Sequence, residues 1–196
     1  MTRRMGFFGA SLVIVLVLAA AGLPVQAQAP SQEEMMKMYQ ALATPGEHHQ
    51  ALDFLEGHWK TEIKSMMTPG QPEVSQGTCD AEWILGGRYL QSVQRSTFGG
   101  MPFEGRSLTG YDNAKKEYFD LWIDNMGTGY MVFVGDLSED GKTFTERGSY
   151  IDPMTQREMS YRTVIEVRGP DRLFSSMFTA GPDGSETKVM EIAYTR

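Results

Sequence analysis

The sequence predicts an all-β protein, a ten-stranded antiparallel up-and-down β-barrel preceded by a short N-terminal helical segment. Three observations lead there. Turn-forming residues recur from Gly57 onward, at Pro69-Gly70, Gly86-Gly87, Gly99-Gly100, Asp112-Asn113, Gly127, Asp140-Gly141, Asp152-Pro153, Gly169-Pro170 and Asp183-Gly184, 13 to 16 residues apart. Nine such breaks separate ten segments of strand length. Within the segments, apolar and polar residues alternate: Trp59, Thr61, Ile63 and Met67 share one face, and Lys60, Glu62 and Lys64 the other. A period of two marks a strand with one buried and one wet face. Finally, no helix-length stretch interrupts the series, so consecutive strands should pair antiparallel. Ten strands in an open sheet would leave two unpaired edges, which closure into a barrel removes. A two-sheet sandwich is the alternative, but it needs longer crossings than these connections offer.

Ahead of the barrel, residues 1–27 read as a secretion signal. Arg3 and Arg4 give the charged start, Phe7 to Leu23 the apolar stretch, and Val25-Gln26-Ala27 the small residues of a cleavage site. The apolar run is shorter than the ~20 residues of a spanning helix, and Gly22 and Pro24 break it, so no stable membrane anchor is expected. The mature chain should then start at Gln28 and be periplasmic or extracellular. Residues 28–56 form a linker and helical segment. Ser31 with Glu34 three residues on has the form of a capping box, and the helix that follows should end near Pro45-Gly46. Its methionines, Met35, Met36 and Met38, suit a packing face or lid. A second helical turn over Glu47 to Glu56 sets His48, Ala51, Leu52 and Leu55 on one side. The barrel domain occupies 57–196, where Gly57 turns the chain into the first strand. On the last strand Met190, Ile192, Tyr194 and Arg196 share a face, taken as inward, which brings the Arg196 guanidinium to Trp59.

The composition excludes some functions. A net charge of -7 argues against a nucleic-acid partner, since phosphate binding needs a basic face. The single cysteine, Cys79, cannot form an intramolecular disulfide; it alternates with Ala81 and Trp83, which suits a small buried residue. The three histidines, His48, His49 and His58, do not share a metal-ligand spacing, so no metal site and no cofactor is expected. No nucleophile elbow or phosphate loop is present. Asp120 and Asp124 lie about 13 Å apart along one strand face, too far for a hydrolytic pair.

The candidates for a binding role lie on the segment around Trp122. Tyr118, Asp120, Trp122 and Asp124 share one face, and Phe119, Leu121 and Ile123 the other. Either the aliphatic face is the core, or Tyr118, Trp122 and Asp124 line a polar-aromatic cavity. Asp124 is also suited to capping the following turn. Arg88, after Gly86-Gly87, could reach an anionic ligand or pair with Glu82 or Glu104 on the surface.

Pro45-Gly46-Glu47-His48, Leu52, Leu55, Gly57 and Trp59 resemble the start of a bacterial family of domains of unknown function, number fifteen seventy-nine. Ile84 to Leu90, Gly110-Tyr111-Asp112, Trp122 to Thr128 and Tyr194-Thr195-Arg196 continue the resemblance in order. The Gly-x-Trp opening and the Arg on the last strand also resemble the calycin superfamily of lipocalins, fatty-acid-binding proteins and the haem protein nitrobindin. That wider resemblance implies a closed barrel holding a small apolar ligand. A nitrobindin-like haem would need an inward histidine on a late strand, and no histidine follows His58. The expected function is therefore binding of a small apolar or amphipathic molecule, with Trp122, Asp124, Tyr118 and Arg88 as candidate ligand-binding residues. An enzyme using a cavity carboxylate and a structural or interaction module with a filled barrel are the alternatives.

Overall fold

A computed structural model describes residues 29–68, 70–152, 155–181 and 184–196. The secretion signal expected over 1–27 and the turn residues Pro69, Pro153 and Asp183 lie outside them. The described chain forms helices α1 (Gln32–Ala43) and α2 (Glu47–Gln50), a single 3₁₀ turn (Asp53–Leu55) and ten strands. These are β1 (Gly57–Ser65), β2 (Glu73–Ile84), β3 (Tyr89–Phe98), β4 (Met101–Asp112), β5 (Glu117–Asp124), β6 (Met131–Leu137), β7 (Thr143–Ile151), β8 (Glu158–Gly169), β9 (Arg172–Ala180) and β10 (Glu186–Thr195). Each strand pairs antiparallel with its neighbour in sequence, and β1 pairs with β10 from Lys60–Thr195 to Ser65–Met190, closing the barrel. Each break predicted from the sequence coincides with a junction between two strands, Asp112 and Gly169 being the last residues of β4 and β8.

The alternation in β1 is complete: Trp59, Thr61, Ile63 and Ser65 are buried, while His58, Lys60, Glu62 and Lys64 are exposed. Gly57 enters the strand at φ 132°, a left-handed conformation that favours glycine, and a Cβ there would lie 2.6 Å from an Arg196 guanidinium nitrogen. Gly86 (φ 68°) and Gly87 (φ 81°) carry the β2–β3 turn.

The barrel end where β1 begins is closed by side chains. Trp59 is 1% exposed, and its indole N–H donates to the Leu55 carbonyl at 3.0 Å. Trp59 packs with Cys79 and Leu173, while Leu52, Tyr118 and Phe144 form an adjoining cluster; Phe54 and Leu55 of the 3₁₀ turn touch both. Trp83 ties the turn down through its N–H to the Asp53 carboxylate at 2.9 Å. Arg196 covers the plug from outside rather than from within the barrel as the alternation implied. Its Cζ lies 4.2 Å from the centre of the Trp59 ring, and it donates to the carbonyls of Glu56 (2.7 Å) and Pro170 (3.0 Å). The strand ends at Thr195, so the residue beyond it leaves the pleat and follows the barrel rim.

Two helical expectations are corrected. The capping box forms: the Ser31 hydroxyl accepts from the Glu34 N–H at 3.2 Å and Glu34 accepts from the Ser31 N–H at 2.7 Å. However, no residue of α1 is buried, so its methionines do not pack on the described barrel. The helix is held by its end, where the Asn113 side chain donates to the carbonyls of Leu42 and Thr44. In the second segment the inward residues are His49 and Leu52, not His48 and Leu52. The helix lasts only four residues before tightening into the 3₁₀ turn, so the 3.6-residue spacing does not carry through. His48 instead stacks on Tyr111, with ring centres 4.2 Å apart.

Candidate functional site

Above the plug the barrel is hollow. Its lumen is a cavity of about 1150 Å³, running from Leu55 and Trp59 at the closed end to the opposite rim. The void follows from side-chain sizes. Ser65, Ser75, Ser92, Ser107, Thr109, Thr163 and Ser175 all face inward and are too short to meet across the barrel. The large side chains lie back against the wall instead of crossing it, because glycines on adjacent strands receive them. A Cβ at Gly105 would be 2.2 Å from the Trp122 ring, at Gly135 2.6 Å from Phe144, and at Gly148 2.7 Å from Phe133. Substituting these glycines would push the rings into the lumen.

Trp122 and Asp124 point into this space, whereas Phe119 and Leu121 do not line it and Ile123, 47% exposed, borders it only at the mouth, which decides between the two orientations of β5. The Trp122 N–H donates to Asp124 at 2.9 Å, and the other Asp124 oxygen accepts from the Met126 N–H at 2.9 Å. Asp124 thus caps the turn and orients the indole at once. The β5–β6 connection, residues 125–130, overhangs the mouth with Met126, Gly127, Thr128, Gly129 and Tyr130, and Tyr130 is 70% exposed.

The structure places the other two candidates elsewhere. Tyr118 faces inward but is part of the plug, packed on Phe144 and within 3.3 Å of His48 Nδ1 at its hydroxyl. Arg88 lies in the β2–β3 turn at the closed end, exposed to solvent, where it donates to the Leu85 carbonyl at 2.9 Å. It pairs with neither Glu82 nor Glu104; Glu104 is held by Arg95 and Arg106.

What sequence reasoning missed is a second acid deep in the lumen. Asp120 and Glu146 are each 7% exposed. Their backbones lie two strands apart across β6, about 10 Å, and both side chains extend inward. Asp120 accepts from the Thr109 hydroxyl at 2.7 Å, and the nearby Ser107 hydroxyl also favours its charged form. Glu146 receives no hydrogen bond from a described residue, and its oxygens open onto the lumen. Burial raises both carboxyls above the ordinary carboxylate range. For Glu146 the charge of Asp120 adds to burial, while for Asp120 the two hydroxyls oppose it. The signal was in the alternation: Phe144, Glu146 and Tyr150 share one face of β7.

Cys79 is no nucleophile: burial, then the charge of Asp80, pushes its thiol up to about 12. Among the described residues no group of three or more His, Cys, Asp or Glu side chains could hold a metal ion. No helix among them is long and apolar enough to cross a membrane.

Comparisons with known proteins give one family and one structure of similar fold. A family model described as protein of unknown function, DUF1579, matches residues 44–196. The crystal structure of Rv2717c from M. tuberculosis superposes with a TM-score of 0.60 at 16% identity, covering 78% of this chain and 99% of that one. A redesigned β-barrel (TM-score 0.38, 15% identity, 74% and 94% covered) and a protein bound to DFHBI (0.42, 13%, 76% and 99%) are more distant. No curated protein matches the chain.

Proposed function

The chain belongs to the DUF1579 family, whose description assigns no activity, and we propose from the site itself that it is an exported carrier or receptor of one small amphipathic molecule held in the barrel. The observation that carries this reading is the lumen: about 1150 Å³, closed by the Trp59 plug at one end and bordered by a short overhanging loop at the other. A volume of that size lies just above the usual range of small-molecule sites, and a mainly apolar wall with a few convergent polar groups is their usual lining. Trp122 would supply apolar surface near the mouth and Asp124 an acceptor beside it. A filled structural barrel would leave no such space. Export rests on the charged start, apolar run and small-residue cleavage site of residues 1–27.

The test is titration of the exported protein, whose mass should correspond to a chain starting at Gln28, with the neutral fluorophore N-phenyl-1-naphthylamine. Saturable uptake of one probe per chain is expected. Ser92→Phe, which projects a ring into the lumen, should weaken uptake at least tenfold without loss of folding. Absence of saturable uptake by the natural sequence would overturn the reading.

A further inference from the structure

We infer that the ligand class this barrel is built for is a lipophilic amine, its apolar body along the lumen and its ammonium group between Asp120 and Glu146. The inference deepens the small-molecule reading above and rests on it. Three observations converge on a cation.

The first is the sign of the lining. Glu73, Asp120, Asp124, Glu146 and Asp152 all face the cavity, and among the described residues no Lys, Arg or His does. Three of these acids are engaged at the mouth: Glu73 accepts from Gly99, Asp124 from Trp122 and Met126, and Asp152 from Thr155. Asp120 and Glu146 lie deeper and hold no such backbone bonds.

The second is the unmet capacity of Glu146. The Glu146 carboxyl is 7% exposed and accepts no hydrogen bond from a described residue, whereas buried polar groups are ordinarily hydrogen-bonded. Its oxygens face open lumen, where a bound donor would satisfy them. An ammonium carries three N–H donors and can serve Glu146 and Asp120 together. Charge also favours it, because the ionisable groups facing this part of the lumen are acids and the ammonium brings a positive charge. A fatty-acid carboxylate would bring a third acid and no donor, which disfavours it in the same place.

The third is the aromatic surround. Phe144 is two residues from Glu146 on β7, with its ring over Gly135, the cross-strand partner of Glu146. The Phe133 ring covers Gly148, two residues beyond on the other side. Glu146 thus lies between two aromatic rings along β7, in the kind of apolar, aromatic surround that desolvated cations favour.

The experiment displaces N-phenyl-1-naphthylamine from the full exported chain with three ligands of equal length at micromolar concentration: dodecylamine, dodecanol and dodecanoate. Dodecylamine should displace the probe at a concentration at least tenfold lower than dodecanol, with dodecanoate weakest. Glu146→Gln and Asp120→Asn should each cut the amine's advantage over the alcohol at least fivefold while still taking up the probe, which shows that barrel and cavity are intact. If the natural sequence binds the probe but takes dodecylamine no better than dodecanol, the inference falls and the small-molecule reading stands. Full amine preference in both variants would also overturn it. If the probe itself does not bind, both readings fall together.

Discussion

Replacing Trp59 with alanine should lower the free energy of unfolding by about 3–5 kcal/mol, the range for a large aromatic removed from a core. The site has little means of relaxing. The indole is 1% exposed and sits at the meeting point of the first strand, the 3₁₀ turn and the last strand. Its N–H satisfies the Leu55 carbonyl, Tyr194 meets its ring edge-on at 6.4 Å, and Arg196 lies across its outer side. Alanine removes all three at once and opens the closed end to the lumen. A cation over a desolvated ring adds about 1–2 kcal/mol, so Arg196→Ala should cost less than Trp59→Ala, and the two should be non-additive. Denaturant midpoints of the single and double variants measure this; an unchanged midpoint for Trp59→Ala would mean that the indole does not close the barrel.

The second large effect runs the other way. Glu146→Gln should stabilise the protein at pH 8 by on the order of 1–3 kcal/mol, the scale of an uncompensated buried polar group. The folded barrel raises the affinity of Glu146 for its proton, through burial first and the Asp120 charge second. A carboxyl raised on folding favours the folded state at acid pH. As pH climbs past the unfolded value, about 4.3 for glutamate, the unfolded chain ionises first and stability falls until the folded group ionises too. Asp120 is shifted in the same direction and contributes with the same sign. Glutamine keeps the shape without the charge, so the variant and the natural chain should be nearly equal at pH 4 and diverge progressively as the pH rises above the unfolded value. A loss of stability at pH 8 would mean that the carboxyl has a structural partner. A site that lowers the stability of its own empty state is the usual mark of a function that needs it.

Much of this fold was written locally. Each strand alternates on its own, each turn carries its own glycine, proline or aspartate, and meander connectivity needs only nearest neighbours. The ends of the chain also announced their pairing, because Trp59 and the face of Met190, Ile192 and Tyr194 are both heavy and both inward. The orientation of β5 was not decidable, since Phe119, Leu121 and Ile123 look as core-like as Tyr118 and Trp122. The barrel tolerates the first set outside, where Phe119 meets Tyr89 and Ile123 is 47% exposed. The acid pair escaped for a different reason: Asp120 was weighed against Asp124 on its own strand, whereas its electrostatic partner arrives from two strands away. Arg88 reads as a ligand contact only as long as the end of the barrel it occupies is unknown; the register of β2 with β3 places it at the plugged end. Hollowness depended on a detail of packing that alternation does not encode, namely aromatic rings folded back over Gly105, Gly135 and Gly148.

The central claim is that the lumen, and no outer surface, takes the ligand. Anomalous diffraction from crystals soaked with ω-bromododecanol locates the bromine directly. The account predicts one strong bromine peak inside the barrel, on the Trp122 side of the lumen away from the Asp120–Glu146 pair, with the Trp59 plug unmoved. Bromine found only on the outer face, or a lumen filled by inward-turned side chains, would contradict it.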